Sequence, residues 1–267
     1  MTDANRSAIL ELRARGNGAR RIQTELYLHS DRRLSLATIH EVLAAAQVKP
    51  LVKPRRPTIS KRYSRPIPGD RVQMDTMKIA PGVYQYTAVD DCSRFRVLGV
   101  YPRRNGRNTL LFLDRVIEEM PFAIQRIQTD RGTEFFAEPV QRRFKQECIK
   151  FRPNPPRSPH LNGKVERSQL TDLAEFWARH SPKDKDIAQR IEEWQFDYNY
   201  RRSHGGLSGR TPADRVGAAN DSVPLREDVV NAFEPSRERM RFSNWKTDLA
   251  VAQLHRKAMA EISPGNG

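Results

Sequence analysis

Ser158-Pro159-His160-Leu161-Asn162-Gly163-Lys164-Val165-Glu166-Arg167-Ser168-Gln169-Leu170 reads as a turn that opens a helix, with one carboxylate, Glu166, about a turn inside. Ser158 and Pro159 are start signals, because proline is tolerated where the first N–H groups of a helix have no intrahelical partner. Val165, Leu170, Leu173 and Trp177 recur roughly at helical spacing and predict the face that packs on a core. Lys164, Arg167, Ser168 and Asp172 fall elsewhere around the helix. Taken alone, an acid between Lys and Arg is an ordinary solvated surface group. Two further stretches bear on it. Val72-Gln73-Met74-Asp75-Thr76 places an acid in a predicted strand, and Ile127-Gln128-Thr129-Asp130-Arg131-Gly132-Thr133-Glu134-Phe135 places another where a strand ends in a glycine turn. The 35 residues 131–165 separate Asp130 from Glu166.

With 32 acids in the chain, some Asp–Asp–Glu triple at suitable spacing is expected by chance, so the surroundings matter more than the count. Thr129-Asp130-Arg131-Gly132-Thr133-Glu134-Phe135 and Ser158 to Arg167 resemble the DDE integrase core shared by retroviral integrases and many bacterial insertion-sequence transposases. The resemblance implies that Asp75, Asp130 and Glu166 are catalytic and hold two Mg²⁺ (or Mn²⁺) ions, with Asp75 bridging both and the other two acids holding one each. Attack on a phosphodiester needs an activated oxygen nucleophile, an in-line leaving oxygen and neutralised charge at phosphorus, and two hard cations about 4 Å apart meet all three needs. Such cations prefer oxygen ligands on rigid supports. Asp90, Asp91 and Glu134 are read as loop-forming acids instead, since Asp at a hairpin commonly makes an Asx-type turn. Lys164 and Arg167 share a helix with Glu166 and are candidate DNA phosphate contacts, an ordinary solvated face being the other reading.

The net charge of +15, from 47 Lys and Arg against 32 Asp and Glu, asks for a polyanionic partner. Double-stranded DNA is the first expectation, though ribosome-associated and membrane-surface proteins share such compositions. Cys92 and Cys148 have no CxxC partner, as expected of a reducing compartment. No apolar run has the length of a signal peptide or a bilayer span, which predicts a soluble intracellular protein with no membrane partner. The resemblance implies a bacterial cytoplasmic, nucleoid-associated location. The six His and two Cys show no zinc-ligand spacing, so no zinc is expected and the likeness does not extend to the zinc-binding N-terminal domain of retroviral integrases.

Outward from these motifs the chain divides into four. Residues 1–49 predict three short helices, with Ser35 capping the third and Thr38, His40 and Glu41 on its outer side. Three helices in so short a span suggest a helix-turn-helix DNA-binding domain, with Thr38 and His40 facing DNA; a trihelical bundle for protein contact is the alternative. Gly18 to Ile22 and Leu34 to His40 are similar to the helix-turn-helix segment that precedes the core in insertion-sequence transposases. Residues 50–68 hold five prolines among basic residues and form an extended linker. Residues 69–215 form the catalytic core. Strands are predicted over 71–79, 84–90, 95–101, 123–129 and 149–152, and helices over 108–120, 139–146, from 158 and over 184–199. The expected class is α/β, a ribonuclease H-like mixed five-stranded sheet with flanking helices behind a small all-α domain. Tyr198 to Leu207, followed by Thr211-Pro212, resembles the tail of many transposase cores, where His204 reads as a structural anchor. Residues 216–267 form a basic region, with a helix expected near 246–262.

Together these readings predict a transposase that cuts the 3′ ends of a mobile element and joins them to target DNA, acting as a homo-oligomer on DNA, as the resemblance implies. A catalytically inactive, transposase-derived DNA-binding regulator is the alternative. A nuclease acting on RNA–DNA hybrids is a third reading, disfavoured by the N-terminal helices and the surroundings of Glu166.

Overall fold

Strict alternation along three consecutive strands sorts the residues of the sheet onto two unlike faces. In the computed structural model, which describes residues 1–49, 51, 64–156, 158–244, 250 and 253, β1 (Val72–Ala80), β2 (Val83–Asp90) and β3 (Arg96–Tyr101) form an antiparallel meander. Gly69 leads into β1 with φ +78°, and a Cβ there would lie 2.2 Å from the Ala123 carbonyl oxygen, so only glycine fits. The chain continues through α4 (Gly106–Glu119), β4 (Arg126–Thr129), α5 (Glu138–Gln146) and β5 (Lys150–Pro153). Both later strands pair parallel, giving the order β3-β2-β1-β4-β5. This is the mixed five-stranded, ribonuclease H-like sheet expected from the sequence. β4 starts three residues later than expected; just before it, Gln125 donates to the Gly69 carbonyl at 2.8 Å.

Val72, Met74, Tyr86, Ala88, Val97 and Ile127 point to one face and are buried against Phe112, Leu113 and Val116 of α4 and Val140 and Phe144 of α5. The intervening residues Gln73, Asp75, Gln85, Thr87, Arg96 and Gln128 point to the other face, as the period of two requires. That second face is covered by α6 (Gly163–Asp172) and α7 (Ile187–Phe196). Both helices run on into a π-helical turn, Leu173–Trp177 and Asp197–Arg201.

Here the sequence expectation needs correcting. The helix does not start at Ser158: a 3₁₀ turn, Pro159–Asn162, comes first, and Ser158 makes no side-chain cap. Nor do Leu170 and Leu173 pack inward; both are exposed, at 56% and 43%. The inward side of α6 is Val165, Ser168, Gln169 and Asp172, followed by Phe176. The reason is that the sheet face beneath is itself polar. Asp172, fully buried, lies 2.7 Å from Arg96 Nη1 and accepts from Gln85 Nε2 at 2.7 Å and Trp194 Nε1 at 2.8 Å. Arg96 also donates to Ser168 Oγ at 2.9 Å and lies over the Tyr198 ring at 3.3 Å from its centroid. Asn199 brackets the Arg96 backbone, accepting from its N–H and donating to its carbonyl. α7 begins at Ile187 rather than 184, because Asp184 turns back to accept from Ser181 N at 3.2 Å.

Residues 1–49 form the three expected helices, α1 (Asp3–Ala14), α2 (Ala19–Ser30) and α3 (Leu36–Ala45). Ile9, Ile22, Leu26, Ile39, Val42 and Leu43 make their core, and Ser35 Oγ accepts from Thr38 N at 3.0 Å as the N-cap. α2 is fastened to the sheet-bearing unit: Arg21 donates to both oxygens of Glu175, at 3.1 and 3.0 Å, and Arg202 holds the same carboxylate from the other side. Most of the expected linker lies outside the described residues, as does most of the helix expected near 246–262. After α8 (Pro212–Gly217) and α9 (Arg226–Asn231), the chain returns along the sheet-bearing unit. Glu238 takes a two-pronged contact from Arg152, Arg241 exchanges backbone bonds with the Gln141 amide, and Arg131 donates to the carbonyls of Phe242 and Ser243.

His204 has the anchoring role expected of it. Its Nε2 lies 3.1 Å from the Tyr198 carbonyl, the geometry of a neutral ring with that nitrogen protonated. Burial, and then the charge of Arg202, push its pKa down to about 3 from 6.5. The unfolded chain therefore takes up a proton that the fold excludes as pH falls below 6.5, and stability drops over the window from 6.5 to 3 by at most about 1.4 kcal/mol per pH unit. Urea midpoints measured from pH 7 to pH 4 are expected to fall less steeply in His204→Gln; parallel slopes would remove His204 from the acid response.

Candidate functional site

Where β1 and β4 run parallel, Gln73 pairs with Gln128 and Met74 with Thr129. One step further along each strand stand Asp75 and Asp130, on the face that α6 covers. Asp75 Oδ1 accepts from Thr76 N at 2.8 Å, and Asp130 Oδ1 accepts from Gly132 N at 2.9 Å, so the glycine turn holds the second carboxylate in place. Burial, reinforced by the charge of Asp130, pushes Asp75 up to about 7 from 3.8; the Thr76 N–H and the Gln169 side chain offset part of the rise. Two carboxylates close enough to repel, with no ion pair to either among the described residues, are a hard-oxygen donor set that a divalent cation would relieve.

Glu134 is a third acid nearby. It is buried, and it folds back under Gly132, where an added Cβ would meet its carboxylate at 2.6 Å. Burial raises its pKa, opposed by Arg104 at 3.7 Å. Glu166 stands on the first turn of α6, exposed, one turn before Gln169. The structure thus brings Asp75 and Asp130 together under α6. Among the described residues no group of three acids is close enough to share a metal ion.

The other expected contacts fall in different surroundings. Lys164 turns inward, its ammonium 3.8 Å from buried Asp91, and burial beside Arg94 and Arg71 pulls its pKa down to about 8. Arg167 is exposed. Thr38 is engaged in the cap of α3, 2.8 Å from Ser35 Oγ, and His40 is exposed on the same helix. Asp90 makes the expected Asx-type turn, accepting from Cys92 N, Ser93 N and Ser93 Oγ, and Asp91 is paired with Arg71. The residues that sequence reading passed over are Gln73, Gln128 and Gln169, which stand around the two aspartates. The only signal for the first two was their placement two residues before each aspartate.

Asp75 within β1 and Asp130 directly after β4 thus stand as neighbouring carboxylates on one face of a mixed sheet, and comparison with known proteins gives the family. Two family models, each described as an integrase core domain, match residues 65–159 and 147–212. The chain belongs to the DDE integrase and transposase family, whose core domains are polynucleotidyl transferases acting on DNA. Among solved structures, the catalytic core domain of BIV integrase is similar, with 20% identity, a TM-score of 0.48, and coverage of 58% of this chain and 97% of that one. No curated protein sequence matches the chain. Among the described residues, no helix is long and apolar enough to cross a membrane.

Proposed function

We propose that the protein is a transposase that cuts the 3′ ends of a mobile DNA element and joins them to target DNA, with Asp75, Asp130 and Glu166 as its catalytic acids. The observation that carries this reading is the pairing of Asp75 with Asp130 on adjacent parallel strands beneath the helix that bears Glu166. Mg²⁺ or Mn²⁺ held by these three acids would neutralise charge at phosphorus and supply an activated oxygen nucleophile. Asp75 presents its oxygens from within β1 and Asp130 from the turn directly after β4, where Gly132 N–H fixes it. Glu166, exposed on α6, would complete the set. In the first reaction water adds to phosphorus and the 3′-oxygen leaves as a hydroxyl. In the second, that hydroxyl attacks a target phosphodiester, so that one ester bond forms as another breaks, without a covalent protein intermediate.

The charge of +15 supports DNA as partner. The three-helix unit is proposed as the DNA-binding module, with His40 on its exposed side, and Arg167 as a phosphate contact beside the catalytic acids. Action on two element ends implies a homo-oligomer on DNA. The test is a strand-transfer assay of the full chain on the element's own terminal repeats with Mg²⁺ or Mn²⁺. Wild type is expected to nick and join, and Glu166→Gln or Asp130→Asn to lose at least 10²–10³-fold. Equal joining by wild type and both variants would defeat the assignment. DNA binding with no joining by wild type would point to the inactive regulator instead.

A further inference from the structure

The first turn of a helix leaves amide N–H groups without intrahelical partners, and an N-cap side chain ordinarily takes one of them. At α6 the N-cap residue, Asn162, makes no such bond. The acceptor comes from the sheet instead: Gln73 Oε1 accepts from Lys164 N at 3.1 Å and from Val165 N at 3.3 Å. With two N–H donors aimed at one atom, that atom must be the amide oxygen and not the nitrogen. Beside it Gln128, the in-register partner of Gln73, donates Nε2 to the Leu161 carbonyl at 2.7 Å, in the turn just before the helix. The orientation of Gln128 is set in turn, since its Oε1 accepts from Arg71 Nη1 at 3.0 Å while Arg71 is held on buried Asp91. Both glutamines are buried, at 2% and 7% exposure, so these bonds face no competition from water.

Their positions give the arrangement its meaning. Gln73 and Gln128 each precede a candidate catalytic aspartate by two residues: Gln73 shares β1 and its face with Asp75, and Gln128 stands on β4, which Asp130 directly follows. Glu166 directly follows Val165, whose N–H Gln73 holds. We propose that Gln73, with Gln128 beside it, is the positioning residue that registers α6, and with it Glu166, against Asp75 and Asp130. The proposal rests on the reading of those three acids as the cation-binding set. An acid carried on a helix is only as well placed as the helix start, and displacement by about 1 Å is enough to cost on the order of 10²-fold in a reaction that depends on alignment.

The test uses the full chain, Mn²⁺ as the probe, and two readouts other than activity: Mn²⁺ affinity by calorimetry and amide hydrogen exchange over 161–167. Gln73→Met, of similar length without the acceptor, is expected to weaken Mn²⁺ binding by about 10- to 100-fold and to speed exchange at Lys164 and Val165. Gln73→Glu, which keeps an acceptor for both N–H groups, is expected to retain their protection. Gln128→Met supplies a second route should Gln73→Met fail to fold, and is expected to loosen the same turn. If Gln73→Met and Gln128→Met bind Mn²⁺ as wild type does while Glu166→Gln is weakened, the positioning role is overturned and the catalytic reading stands. If Asp75→Asn and Glu166→Gln also bind as wild type does, the catalytic reading falls and the positioning role falls with it.

Discussion

Asp172→Ala is expected to lower the free energy of unfolding by about 3–5 kcal/mol, because it leaves Arg96 as an uncompensated charge at zero exposure. The carboxylate is where α6 meets three other elements. It ties α6 to β2 through Gln85, to β3 through Arg96 and to α7 through Trp194. Its loss takes an acceptor from each of these donors, two of which, Gln85 and Arg96, are fully buried. Replacing both charges, as in Arg96→Leu with Asp172→Leu, is expected to recover much of the loss, since two apolar side chains of suitable volume need no desolvated partner. Urea unfolding of the two variants separates the effects. A single variant within about 1 kcal/mol of wild type would show that the ion pair is not what holds α6 down.

Asp75→Asn is expected to move stability and activity in opposite directions. Burial, reinforced by the charge of Asp130, pushes Asp75 up to about 7 in the fold, from 3.8 in the unfolded chain. The fold therefore binds the extra proton, and stability falls as pH rises through the interval from 3.8 to 7, the penalty being complete above it. Asparagine has no charge to bury beside Asp130, so at pH 8 the variant is expected to be more stable by roughly 2 kcal/mol, a gain of about 4–8 °C in Tm for a chain of this size. The same substitution removes a proposed cation ligand, and DNA joining is expected to fall by at least 10²–10³-fold. Thermal melts with chelator at pH 5 and pH 8 check the first half: the gain is expected to be larger at pH 8, above that interval, than at pH 5, inside it. An equal Tm for the two proteins at both values would mean that neither burial nor Asp130 penalises a charge on Asp75 in the fold. Such a trade between stability and function is expected wherever a site keeps like charges together for later use.

The strands were legible because alternation is a local signal. Val72 and Met74 in β1, and Tyr86 and Ala88 in β2, recur every second residue and pack where that pattern puts them. The pairing of Asp75 with Asp130 was legible from flanking motifs. The inward side of α6 was not, because apolar Leu170 and Leu173 were matched to a core that is polar at that spot. Ser168 and Asp172 became inward residues only through Arg96, Gln85 and Trp194, which lie 22 to 87 positions away for Asp172 and 72 for Ser168. The same distance hid the cap of α6. Ser158 carries the local signature of a helix start, whereas the acceptor actually used, Gln73, lies 91 residues from Lys164. Lys164 reads as a phosphate contact from its neighbours in sequence and lies beside Asp91 in the fold.

The return of the chain along residues 238–243 bears on where the catalytic unit ends as a physical object. The second integrase model stops at 212. A fragment cut there would strip the Arg152 guanidinium of Glu238, leave the Gln141 amide without Arg241, and free the Arg131 side chain directly after Asp130 from the carbonyls that hold it. Modularity in this protein is therefore measured by satisfied polar groups and not by family boundaries. A piece bearing Asp130 keeps these contacts only if it extends to at least residue 243.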